Sequence, residues 1–159
     1  MKAIKSKNAL SALAVASIGL LLSSFSGNWG GEGFEVYLNN KVVLQQFGKE
    51  MNTVKSIQLD KSLVNGQLTV KYFHCGKAGK NRSITIRDDN NKILKVWHYP
   101  DVSAAAMSAG DLSMNFKVAD VLNLQKTTSG KLNLYYSSSE LPDGRLLASL
   151  ICEGVVAKR

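Results

Sequence analysis

Within residues 67–99, three runs separated by two polar turns carry apolar side chains at every second position, and this period constrains the fold more than any other feature. Leu68, Val70, Tyr72 and His74 alternate with Thr69, Lys71, Phe73 and Cys75. A period of two belongs to a strand with one face buried, because successive side chains leave a strand on opposite sides. The same stretch carries both histidines, one of the two cysteines and one of the two tryptophans.

Two segments read as hairpins, and both have Asn-Asn-Lys at the tip: Asn39-Asn40-Lys41 and Asn90-Asn91-Lys92. In the first, a two-residue turn sets Leu38 beside Lys41. A three-residue loop sets Val36 opposite Leu44 and gathers Phe34, Val36, Leu38, Val42 and Leu44 on one side. The second register is preferred, since a half-buried strand needs one apolar face. Applied to the other hairpin, it pairs Ile86 with Val96 and Ile84 with His98. Ile84, Ile86, Leu94 and Val96 then point inward, and Thr85, Arg87, Lys95 and Trp97 outward.

Further strands are expected over residues 53–59, 112–118, 131–137 and 145–152, with a turn at Pro142-Asp143-Gly144. Residues 100–110 suit one helical turn, and 119–125 fit either strand or short helix. The expected class is all-β: an antiparallel β-sandwich, immunoglobulin-like or jelly-roll-like, of eight or nine strands after an N-terminal signal helix. An open barrel is the alternative. Val36, Leu44, Val70, Ile84, Ile86, Val96, Phe116, Leu134 and Leu150 are the expected core.

The first 26 residues follow a different rule. Lys2, Lys5 and Lys7 precede an apolar run over residues 9–22, and small residues flank a cut before Gly27. That is the pattern of a secretory signal peptide. The expected organisation is a signal peptide over 1–26, a flexible lead-in over 27–33 and a single β-domain over 34–159, in a secreted or periplasmic protein with no membrane span after cleavage. With the three leading lysines gone, 17 Lys and Arg face 12 Asp and Glu, about +5. This moderate charge suits solubility and is no nucleic-acid signature.

Chemical motifs are sparse. Lys77, Lys80 and Arg82 in the turn after Cys75 lack the spacing, the Ser/Thr and the helix of a phosphate loop, and read as solvated cations. Asp88-Asp89-Asn90-Asn91 lacks the alternation of a Ca²⁺ loop and is explained by hairpin chemistry. His74, Cys75 and His98 are ligand types for copper or zinc, but neighbours on a strand point to opposite faces. They define the alternative reading, a metal-binding or redox protein. Cys75 and Cys152 are permitted to bond in an exported chain, though their patterns aim them at different faces. No nucleophile elbow or zinc-protease motif occurs, so no enzyme and no cofactor are expected.

The leading expectation is an exported, non-enzymatic binding or assembly module of the cell envelope or extracellular space. Its partners would be polysaccharide, another anionic polymer or another envelope protein. The preferred register sets Trp97, Tyr99, Lys95 and Arg87 together on the outer face. Aromatic rings beside cations suit stacking on a sugar ring and holding an acidic group. The competing expectation, favoured because large aromatics usually pack, is that Trp97 is covered by a loop such as residues 100–110 or turned inward by a two-residue turn.

Overall fold

The computed structural model describes residues 31–75 and 77–154. The expected signal segment and Trp29 lie outside the described residues. The described residues form nine strands: β1 (Gly33–Leu38), β2 (Lys41–Phe47), β3 (Lys55–Asp60), β4 (Gln67–Phe73), β5 (Ser83–Arg87), β6 (Ile93–His98), β7 (Met114–Lys117), β8 (Leu132–Ser138) and β9 (Leu141–Glu153). Short helices α1 (Ala104–Ser108) and α2 (Val118–Gln125) flank β7. The ambiguous segment at 119–125 is thus helical, burying Val118, Val121, Leu122 and Gln125.

The strands divide into a four-stranded sheet, β2-β1-β4-β7, and a five-stranded sheet, β3-β9-β8-β5-β6. All pairings are antiparallel except β3 with β9, which run parallel. One core draws on both sheets: Phe34, Val36, Leu68, Val70 and Phe116 from the first meet Ile57, Ile84, Ile86, Leu134 and Leu150 from the second. Removing several methyl groups from such a residue costs roughly 1–4 kcal/mol, the lost transfer energy plus the cavity left behind. Of the nine expected core residues, eight are buried and Val96 is not.

Val96 fails because the second hairpin is displaced by one residue. Its loop has three residues, as expected, but they are Asp89, Asn90 and Asn91: Asp88 N–H donates to the Lys92 carbonyl, and Arg87 faces Ile93. A bulge between Ile86 and Arg87 then absorbs Leu94. Ile84 therefore faces Trp97, Thr85 faces Val96 and Ile86 faces Lys95. One residue of slip exchanges the two faces of a strand, so Trp97 turns toward the core and Val96 toward solvent.

The first hairpin uses both registers that the sequence allows. Near the tip, Asn39 and Asn40 form a two-residue turn with φ of 49° and 66°, and Leu38 faces Lys41. Two consecutive left-handed residues define the turn whose twist matches the strands. A bulge after Val36 inserts Val43 and restores Val36 opposite Leu44. Val42, expected inward, is exposed as a result.

Two further corrections follow from local backbone. The β8–β9 turn is Ser139-Glu140; Pro142, Asp143 and Gly144 lie within β9, where the pairing is irregular and Gly144 has φ of 74°. In the lead-in, Gly33 is buried in β1 beneath the Phe47 ring, where a Cβ would not fit. Its neighbour Glu32 bonds Tyr72 and Arg145, so both belong to the folded body.

Candidate functional site

The four residues expected to form a ligand patch are divided between two faces. Trp97 packs against Phe116 of the opposite sheet, ring centroids 4.8 Å apart, and so helps close the side where β6 and β7 meet. Tyr99 donates to the Asn115 carbonyl of β7 at 2.8 Å, and burial pushes its phenol up to about 12. Lys95 stays exposed with its ammonium 5.5 Å from the Trp97 ring. Arg87 lies on the other face, stacked over Tyr135 at 4.3 Å and bonded to Asn91. Trp97 and Tyr99 are therefore packing residues, and Arg87 does not share their surface.

The metal ligands of the alternative reading are also separated. His74 faces the opposite sheet, Nε2 2.9 Å from Tyr136 Oη and 3.3 Å from Ser138 Oγ. His98 is exposed on edge strand β6, opposite Ser83. Cys75 is exposed in the turn beyond β4, with a left-handed φ of 44°. Among the described residues no three His, Cys, Asp or Glu side chains gather around a common point.

Both cysteines are free thiols. His74, next to Cys75, sits at the Ser138 end of β8, whereas Cys152 follows Leu150, which pairs with Leu132 at the other end. Six residues of strand separate those ends, on the order of 20 Å, and a disulfide requires Cα atoms within about 7 Å. Burial pushes the Cys152 thiol up to about 11, which leaves it protonated and unreactive at neutral pH.

In the basic turn before β5, Lys77 and Lys80 are exposed as expected, while the backbone is held by the protein's own carboxylates. Lys80 N–H donates to the Glu140 carboxylate and Asn81 N–H to that of Asp101. Arg82, expected to be solvated, is only 5% exposed and donates to the carbonyls of Pro100 and Leu112. It thereby fastens both ends of the segment crossing from β6 to β7. Asp88, as hairpin chemistry requires, accepts from Asn90 N–H and Lys92 N–H, and Asp89 accepts from Lys131 N–H.

His74 and Ser138 suggest a nucleophile with its base, but the geometry opposes it. Ser138 is buried, and the same His74 nitrogen is nearer to Tyr136. No side chain among the described residues orients the other ring nitrogen. The pair belongs to a polar joint between the sheets. Tyr72 and Tyr136 stack at 4.1 Å, Tyr72 donates to Glu32, and Glu32 pairs with Arg145 at 3.2 Å.

A polar concavity lies elsewhere, on the outer face of the four-stranded sheet. Pairing sets Tyr37 opposite Thr69, and Thr69 opposite Asn115, so one row crosses β1, β4 and β7. Glu35 faces Lys71 in the row beside it. Tyr37, Thr69, Lys71 and Asn115, with Asn40, Gln67 and Ser113, line a groove of about 230 Å³, and Glu35 lies beside it. Thr69 donates to Asn115 Oδ1 at 2.7 Å, which leaves the Asn115 amide N–H groups to donate outward. Tyr37 donates to Glu35 at 2.5 Å, and that carboxylate pushes the Tyr37 phenol up to about 12. Lys71 lies 5.4 Å from the centre of the Tyr37 ring. The row was present in the sequence as the polar halves of three alternating strands: Glu35-Tyr37, Thr69-Lys71 and Asn115-Lys117. Alternation identifies each half, but only the pairing of β1, β4 and β7 brings them side by side.

No protein-family model matches this chain, and no curated protein matches it either.

Proposed function

We propose that the protein is an exported, non-enzymatic binding module, a β-sandwich whose four-stranded sheet contacts a polysaccharide through its outer face. The observation that carries this reading is the Tyr37–Thr69–Asn115 row beside Glu35 and Lys71. A sugar ring offers an apolar C–H face and a rim of hydroxyls. An aromatic ring meets the first, and amides, a hydroxyl and a carboxylate meet the second. A groove spanning three strands suits a chain of sugars better than a small enclosed molecule. The signal-like N-terminus supports a place outside the cytoplasm, where such polymers occur.

The test is binding to a glycan array and to insoluble polysaccharides, with Tyr37→Ala and Thr69→Val beside wild type. Tyr37 is only half-buried on the outer face, so Tyr37→Ala should keep the wild-type melting transition; Thr69 is buried and donates to Asn115, so Thr69→Val should lower it slightly. Tyr37→Ala should weaken binding about tenfold or more, the loss of at least 1.4 kcal/mol. A wild type that binds no glycan, or a Tyr37→Ala variant that binds equally well, refutes the reading.

A further inference from the structure

We propose that edge strand β6 accepts an extended, acidic segment of a partner polypeptide as a sixth strand of the five-stranded sheet. This surface is separate from the groove on the other sheet, and the inference does not depend on the glycan reading.

The backbone supplies the first part of the argument. Among the described residues β6 pairs on one side only, with β5. Tyr99 N–H donates to the Arg82 carbonyl. In an antiparallel pair, residues that exchange hydrogen bonds alternate with residues whose N–H and C=O point away. Counting from Tyr99, Trp97 and Lys95 turn their backbone groups toward β5, and Val96 and His98 turn theirs outward. The sole bulge of this hairpin lies at the Ile93–Leu94 end, so Lys95 to Tyr99 is regular in register. No proline interrupts β6. An incoming strand would therefore find an unblocked ladder of donors and acceptors.

Side chains supply the second part. Val96 is 36% exposed and Ile93 55%, and pairing with Thr85 and Arg87 across the bulge puts both on the sheet's outer face. A paired strand would cover them with its own apolar residues. Lys92, Lys95 and His98 are exposed along the same edge, and Ile93–His98 holds no acidic residue. Neither Lys92 nor Lys95 is in an ion pair among the described residues. An approaching strand rich in lysine would be repelled, and one carrying carboxylates at alternate positions would be matched.

The other edges fit less well. β2 is bulged at Val43, which twists its ladder, and β7 has four residues with the Asn115 carbonyl already accepting from Tyr99. β3 ends in Asp60, whose carboxylate is taken up by Ser62.

The test uses three fluorescein-labelled octapeptides alternating valine with a second residue: glutamate, lysine, or glutamate with the backbone nitrogens that face β6 methylated. Anisotropy titrations against the full chain should show saturable binding of the first. Binding should be about tenfold weaker or absent for the other two. The glutamate peptide should also slow hydrogen exchange at the Val96 and His98 amides and not at Trp97. Val96→Pro removes an outward N–H and leaves the bonds to β5 in place, so it should abolish binding without unfolding; Lys95→Glu should weaken it by a similar factor. No binding by the glutamate peptide overturns the inference. So does equal binding of the methylated peptide, which would reduce the contact to charge, and so does binding without protection at Val96 and His98.

Discussion

Asn-Asn-Lys tips both hairpins, yet the two turns differ in length, in register and in what they bury. At Asn39-Asn40 both asparagines take left-handed backbone, and the turn is fastened from outside: Asn39 Oδ1 accepts from Gln67 N–H, and Asn39 N–H donates to the Gln67 carbonyl. At the second tip only Asn91 is left-handed, φ 63°, and the turn is fastened from within by Asp88, which accepts from both Asn90 and Lys92. The deciding residues are those that precede each loop, Leu38 and Asp88. Leu38 has no side-chain acceptor and is partly buried against the core. Asp88 has one, and an aspartate that can bond the backbone two residues onward sets up its own turn. The same tripeptide thus follows the chemistry of its neighbours, and one residue of difference decides whether a tryptophan faces core or solvent.

The largest expected effect breaks the comparison at that tryptophan. Trp97→Ala should destabilise by about 3 kcal/mol, toward the low end for a large aromatic because the ring is only partly buried. Val96→Ala should cost under about 0.5 kcal/mol, as for an exposed side chain. Urea unfolding of the two variants measures both. The reverse order would mean that the loop is Asn90-Asn91-Lys92, with Ile86 facing Val96.

A second, smaller effect sharpens the role of Asp88. Asp88→Ala removes two side-chain bonds to backbone N–H groups at an exposed turn and should cost about 1 kcal/mol. Asn39→Ala should cost a similar amount for another reason: it loses the bond to Gln67 and leaves a β-carbon in left-handed backbone. The two therefore separate when glycine is tried. Asn39→Gly should recover part of the loss, because glycine relieves the backbone, whereas Asp88→Gly should recover none.

These contrasts show how far the sequence could be read. Period-two alternation was enough to find the strands and eight of the nine chosen core residues, because burial on one face leaves a direct mark on composition. Bulges leave no such mark. The extra residues Val43 and Leu94 are apolar like their neighbours, and each shifts everything beyond it by one position. In the first hairpin the bulge offsets the shorter turn, so Val36 still faces Leu44; in the second the earlier loop changes the pairing by two positions and the bulge restores only one, so Ile84 faces Trp97 and not His98. The groove was illegible for a related reason: Tyr37, Thr69 and Asn115 are distant in the chain and meet only through strand order. The parallel β3–β9 pair could not be foreseen from local pattern, since neither strand's residues specify the direction of its neighbour.

The smallest expected effect concerns the joint that holds the sheet of the first hairpin to the sheet of the second. His74 faces Tyr72, Tyr136 and Ser138 directly, with Glu140, Glu32 and Arg145 around it. Burial is the largest influence and pulls the imidazole below its ordinary value; Arg145 acts the same way, and the two glutamates oppose them in part. The unfolded chain, with an imidazole near the ordinary 6.5, then takes up a proton more readily than the native one. Stability should therefore be unaffected by this group above about pH 6.5. It should fall as pH drops from there toward the lower native value, below which the penalty is constant. His74→Gln keeps a polar side chain and removes the titration. Subtracting its unfolding free energies from those of wild type, between pH 7.5 and 5, should isolate a decline toward acid that belongs to this one group. A difference that stays flat across that range, or rises toward acid, would mean that the glutamates outweigh burial and that the joint favours the charged imidazole.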